Sequence, residues 1–131
     1  MSHSVVVTVA PNGARRGKSD DPAIPLTPHE IGREAARCQD AGAAMIHLHV
    51  RDREGRHSID PDLYRAAIAA VLREAGDRLL IQVTTEAVGI YTPGQQMAAM
   101  RELRPEAFSA AVRELVPDTE AETAASAFFQ E

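Results

Sequence analysis

The sequence predicts an α/β fold of four consecutive βα units with parallel strands. Short apolar, β-branched runs recur along it, beginning roughly 30–40 residues apart, and helix-length amphipathic stretches lie between them. Such alternation makes the strands parallel and the crossovers right-handed. Three of the helical stretches open on a capping residue followed by proline: Thr27-Pro28, Asp60-Pro61 and Thr92-Pro93.

Ser4 to Ala10 is β-branched and almost continuously apolar, the pattern of a strand buried on both faces. It runs into Pro11-Asn12-Gly13-Ala14-Arg15, a turn in which Gly13 is free to take positive φ. Thr27 starts the first helix, with Glu30 completing a capping box. Ile31, Ala35 and Cys38 follow at helical spacing, and Gly42 stops it. Ala44 to Val50 is the second strand. The second helix opens at Asp60-Pro61, carries Leu63, Tyr64, Ala67, Ile68, Val71 and Leu72 on one face, and ends near Gly76. Leu79 to Thr85 is the third strand and leads into Glu86-Ala87-Val88-Gly89. Thr92 and Gln95 frame the third helix, with Met97, Met100 and Leu103 as its core stripe and Pro105 as its break. Ala107 to Val112 is a weaker fourth strand, and a fourth helix begins at about Asp118.

With 131 residues, 44% of them hydrophobic and 25% charged, the chain has the make-up of one globular domain. Its formal net charge of -5 excludes a general phosphate-backbone binder, so no nucleic acid is expected as partner. Cys38 is the single cysteine, which excludes a disulfide framework. No segment is long and apolar enough to span a bilayer, and the N-terminus lacks a basic region followed by an apolar one. No membrane association and a cytoplasmic setting are expected.

The chemistry concentrates at Met45 to Asp52. His47 and His49 sit at i and i+2 of a strand, so both side chains point to one face while Ile46, Leu48 and Val50 point to the other. Two neutral imidazoles so placed suit a divalent metal. The same spacing also suits one buried structural histidine and one rim histidine. The remaining histidines read as tail (His3), solvent-facing first helical turn (His29) and loop (His57). Other polar residues gather after the strands: Asn12 and Arg15, then Arg51, then Thr84 and Glu86, then Ser109 and Arg113. Barrels and open α/β sheets both place their sites there. No loop carries a Gly-x-Gly-x-x-Gly or P-loop pattern. A complete eight-unit barrel needs roughly 250 residues, about twice this length.

Seven stretches occur in the order and spacing of one known family: Val9 to Ala14, Leu26 to Ile31, Ala41 to Ala44, Ile46 to Asp52, Ser58 to Tyr64, Ile81 to Thr85, and Arg104 to Glu106. In these the chain resembles the β-keto acid cleavage enzymes (3-keto-5-aminohexanoate cleavage enzyme-like), most specifically in His47-Leu48-His49-Val50-Arg51-Asp52. The resemblance implies that residues 1–131 are the first four βα units of a TIM (β/α)8 barrel, the N-terminal half of one domain. It further implies an enzyme dependent on zinc or another divalent metal. Such an enzyme condenses a small β-keto acid with acetyl-CoA as co-substrate, giving acetoacetate and a new CoA ester. His47 and His49 fall on the metal-binding histidines, and Thr84 and Ser109 on hydroxyl residues that contact substrate. By the residues themselves Glu86 reads either as a base or third ligand or as a solvated loop carboxylate, and Arg51 is set either toward a substrate carboxylate or in a rim ion pair with Asp52. Asn12, Gly13 and Arg15 are the substrate-binding candidates of the first loop.

The chain departs from the family's pattern in three places. Arg15 stands where some members carry a glutamate, Glu86-Ala87 replaces Gly-Gly, and Arg113-Glu114 replaces small polar residues. The family's third metal ligand comes from the far half of the barrel. Completion is therefore expected from a C-terminal half or from a homo-oligomer. The alternative is a truncated, non-enzymatic half-barrel that binds a small anion or a partner protein.

Overall fold

The computed structural model describes residues 5–131; His3 and Ser4, named above, lie outside them. The expected alternation is present. Strands β1 (Thr8–Val9), β2 (Met45–His47), β5 (Leu80–Thr84) and β6 (Ala107–Ser109) form one parallel sheet in the order β1-β2-β5-β6. Neighbours in space are thus neighbours among the βα units, without the reversal of order that makes the crevice of a doubly wound sheet.

Helices α1 (Pro28–Asp40), α2 (Pro61–Ala75) and α3 (Pro93–Leu103) connect these strands and pack side by side, α1 on α2 and α2 on α3. Thr27 and Thr92 close the expected capping boxes with Glu30 and Gln95, and Asp60 caps α2. Each helix ends where its backbone must change hand or direction: Gly42 follows α1 at φ 102, Gly76 caps α2 at φ 73, and Arg104 caps α3 at φ 50 just before Pro105.

The sheet is covered on one side. Ile46, Ile81 and Val83 are buried with Ile31, Tyr64, Val71 and Met97, whereas the alternate residues Met45, His47, Leu80 and Gln82 are only half-buried. One-sided cover corrects the expectation of a first strand buried on both faces. β1 spans two residues, and Val5, Val6 and Val7 are 80%, 68% and 48% exposed. Among the described residues of the apolar run that reads as two-sided burial, only Val9 packs against the core. Leu72, expected on the buried face of α2, is also exposed.

Three elements were not expected. Val50–Arg51 (β3) and His57–Ser58 (β4) form an antiparallel hairpin at the carboxyl end of β2. Its turn is closed by Asp52, whose carboxylate accepts from the backbone N–H groups of Glu54 and Arg56, with Gly55 at φ 78. The fourth strand ends three residues early, and Val112–Leu115 forms a short helix, α4, ahead of α5 (Glu122–Phe128).

Close approach of α1 and α2 rests on Gly32. A Cβ there would lie 2.6 Å from the Ala70 carbonyl oxygen and 2.9 Å from its carbon. These are backbone atoms of α2 and cannot swing aside. Gly32→Ala is expected to destabilise the fold by about 1–3 kcal/mol, read as a lowered urea midpoint with unchanged slope.

Candidate metal and substrate site

β2 carries His47 to the carboxyl end of the sheet on its uncovered face, and the chain leaves the strand at Leu48, whose N–H still bonds the Gln82 carbonyl at 3.0 Å. That last ladder bond keeps the alternation going through His49. Leu48 is wholly buried on the helix side, and both imidazoles lie on the other. Their Nε2 atoms stand 3.1 Å apart. Two imidazole nitrogens at about 2.0–2.1 Å from one tetrahedral zinc would be about 3.3 Å apart, so the pair already has the span of two ligands to one ion.

Three supports fix this pair. Gln82, on the neighbouring strand, accepts from His47 Nδ1 at 2.8 Å, which sets the proton on Nδ1 and leaves the Nε2 lone pair facing His49. Asn12 grips the His49 backbone from the first loop: Nδ2 donates to the His49 carbonyl at 2.8 Å, and Oδ1 accepts from the His49 N–H at 3.1 Å. Burial, then the proximity of His47, His57 and Arg51, pushes the His49 imidazole down to about 3, so it stays neutral as a ligand must be.

His49 Nδ1 is buried and has no hydrogen-bond partner among the described residues. The Glu86 carboxylate lies 3.9 Å from it. Glu86 therefore approaches His49 from the Nδ1 side of its ring. Among the described residues no group of three or more His, Cys, Asp or Glu is placed to hold a metal ion.

His47, Thr84, Glu86 and Ser109 line one cleft of about 360 Å³, together with Ala110, Ala111 and Glu114. Thr84 closes the end of β5, held there by the buried Tyr64 hydroxyl, which donates to the Thr84 carbonyl at 3.0 Å. Thr84 Oγ1 accepts from Ser109 Oγ and from the Glu86 N–H, both at 3.1 Å. With two incoming bonds, its own O–H is left to point elsewhere.

The first loop is placed differently from expectation. Asn12 is buried and fully engaged, its second Nδ2 bond reaching the Pro25 carbonyl at 3.1 Å. Arg51 is also buried, and its guanidinium donates to the carbonyls of Gly13, Arg16 and Val50. It forms no ion pair with Asp52, which pairs instead with Arg56 at 2.7 Å. Three backbone carbonyls converging beside a buried cation satisfy it without a carboxylate. Arg15 and Arg113 are exposed and do not line the cleft.

Sequence reasoning missed Gln82 and His57. Gln82 shares a strand face with Thr84 two residues on, and that alternation was the available signal. His57 reads as a loop residue, yet it is buried in β4, donates through Nε2 to the Glu86 carbonyl at 2.8 Å, and has its ring 5.3 Å from that of His49. The charged, Gly-containing run between Arg51 and His57 was a hairpin signal.

Two departures from the family pattern meet in space: Glu114 accepts from the Ala87 N–H at 2.9 Å. No helix of the described residues is long and apolar enough to cross a membrane. The chain is 38% identical over 90 residues to the 3-keto-5-aminohexanoate cleavage enzyme of Fusobacterium nucleatum, a match covering 69% of this chain and 33% of that protein. It is 32% identical over 111 residues to the 3-oxoadipate:acetyl-CoA acetyltransferase of Cupriavidus necator, covering 85% and 38%. It is 32% identical over 106 residues to the 3,5-dioxohexanoate:acetyl-CoA acetone transferase of Paraburkholderia graminis, covering 80% and 34%. The chain spans about a third of the length of these curated relatives. The family model for beta-keto acid cleavage enzymes matches residues 4–130, and the chain belongs to that family.

Proposed function

We propose that this chain forms one wall of the active site of a β-keto acid cleavage enzyme. The reaction condenses a small β-keto acid with acetyl-CoA and yields acetoacetate and a new CoA ester. The observation that carries the reading is the convergence of His47 and His49, Nε2 to Nε2 at 3.1 Å, at the mouth of a hydroxyl-lined cleft.

The two Nε2 atoms would hold a divalent metal, zinc by family likeness, which when bound supplies positive charge for the keto and carboxylate oxygens of the substrate. Gln82 keeps His47 in the tautomer that offers Nε2. Thr84 directs its remaining O–H to a substrate oxygen in the cleft, and Ser109 orients that hydroxyl by donating to it. Arg51 and Asn12 act behind the site, holding the first loop and the His49 backbone. Gly13 and the exposed Arg15 remain on that loop for an anionic substrate.

The architecture proposed with this reading is the first half of a (β/α)8 barrel. Strands in chain order, helices on one face and an uncovered opposite face carrying His47 and Gln82 support it. The third ligand and the opposite wall would come from the rest of a longer chain or from a second copy. Light scattering separates these, since a monomeric 131-residue chain rules out the second copy. A cytoplasmic setting accompanies the proposal, Cys38 being a free thiol.

The test is acetoacetate release from a panel of β-keto acids with acetyl-CoA, run beside elemental analysis for zinc. Release that is lost in His49→Ala supports the reading. Zinc present with silence across the panel overturns it in favour of a non-enzymatic chain that binds an anion or a partner protein. That second reading is favoured by the two-ligand count among the described residues.

A further inference from the structure

The hydrogen bonds around His49 leave one proton without a good place. His47 carries its proton on Nδ1, toward Gln82, so the 3.1 Å approach of the two Nε2 atoms needs a proton from His49 Nε2. His49 Nδ1 is then a bare lone pair, buried and facing the Glu86 carboxylate at 3.9 Å. In the other tautomer Nδ1–H points at Glu86, and two Nε2 lone pairs face each other. A cation between those lone pairs removes both conflicts together, and the tautomer it requires is the one whose Nδ1–H the carboxylate attracts.

Glu86 does not hang free on its loop. Its N–H donates to Thr84 Oγ1 at 3.1 Å, its carbonyl accepts from His57 Nε2 at 2.8 Å, and the next N–H, of Ala87, donates to Glu114 at 2.9 Å. Three elements (β5, the β3–β4 hairpin and α4) thus tie down two consecutive residues. Val88, immediately after, sits at φ 44, a left-handed conformation costly for a β-branched residue. Such strain persists only where surrounding bonds over-determine the backbone. The carboxylate itself is a third exposed, with room to close about 1 Å to the 2.7–2.9 Å of a charge-assisted bond.

We infer that Glu86 is a positioning residue that selects the Nδ1–H tautomer of His49, with His57 and Glu114 holding Glu86 in place to do so. The inference deepens the metal reading of His47 and His49, and rests on it only for its effect on ion affinity. In the metal-free chain the carboxylate biases His49 toward Nδ1–H, against the Nε2–H that the 3.1 Å contact with His47 favours. Neither Glu86 nor His57 is a ligand in this account; both act through His49.

The experiment has two arms. In the metal-free chain, two-bond ¹H–¹⁵N spectra of the imidazoles report the tautomer of His49 directly. Glu86→Ala is expected to shift it toward Nε2–H, Glu86→Gln to restore part of the Nδ1–H population through its amide oxygen, and His57→Phe to shift it as Glu86→Ala does. The double variant Glu86→Ala/His57→Phe is expected to go no further than Glu86→Ala alone, because both act through one carboxylate. In the second arm, zinc alone is titrated by calorimetry, and Glu86→Ala is expected to weaken binding about 10–100-fold. An unchanged His49 tautomer in Glu86→Ala overturns the inference. Absence of zinc uptake by the wild type overturns the metal reading instead, and the tautomer arm then decides the role of Glu86. His57→Phe that unfolds the chain leaves Glu86→Ala and Glu86→Gln to decide.

Discussion

Replacing His49 with alanine is expected to weaken divalent-metal binding by about 100-fold or more. Loss of a residue that merely supports a ligand already costs about 10–100-fold, and His49 supplies one of the two Nε2 atoms that stand 3.1 Å apart. Alanine leaves the backbone clamp intact, because Asn12 bonds the peptide N–H and carbonyl of His49 and not its ring. The sheet end should stay in place while the ligand disappears. Elemental analysis and zinc calorimetry on wild type, His47→Ala and His49→Ala check this, with His29→Ala as the control on an exposed first-turn histidine. Equal metal content in wild type and His49→Ala would favour the plainer of the two readings the spacing allows, one buried structural histidine and one rim histidine.

Asn12→Ala is expected to produce the largest loss of stability among the site residues. The side chain is 8% exposed and makes three hydrogen bonds, to the Pro25 carbonyl and to both backbone groups of His49. Each group stranded in a buried position costs about 1–3 kcal/mol, and the three costs overlap, so a total of about 2–4 kcal/mol follows. Asn12→Asp should be worse still. It keeps an acceptor for the His49 N–H but turns a carboxylate toward two carbonyls, with no donor to offer either. Urea unfolding measures both. Zinc affinity of Asn12→Ala in native buffer should fall as well, since the grip on His49 goes with it.

How much of this was readable before folding depends on whether the signal was local. Helix starts are decided within four residues: a threonine or aspartate and a proline, joined in α1 and α3 by an acceptor at the third helical position. Helices α1, α2 and α3 begin where those residues stand. The pairing of His47 with His49 is equally local, because strand alternation puts i and i+2 on one face wherever the strand goes. The seven family-like stretches are also linear, and the family they pointed to is the one whose model matches the chain.

Other assignments depended on partners far along the chain. Val5 to Val7 have the composition of a buried strand, but burial requires a second layer, and the open face of this sheet has none among the described residues. Arg51 next to Asp52 looks like an ion pair. The hairpin gives Asp52 to Arg56 and turns Arg51 onto carbonyls 35 and 38 residues away in sequence. Asn12 had the chemistry of a substrate contact until the fold set it 37 residues away against His49.

The sequence by itself determined the alternation of the four parallel strands with α1, α2 and α3, the capping chemistry and the shared face of two imidazoles, all set by neighbours within a turn or a strand. Only the tertiary structure decided what surrounds those imidazoles. Gln82 came to His47 across a strand pair, and His57 and Glu114 came to the Glu86 loop from the hairpin and from α4. These contacts join residues 27 to 35 positions apart, and no local rule of periodicity or propensity reaches that far.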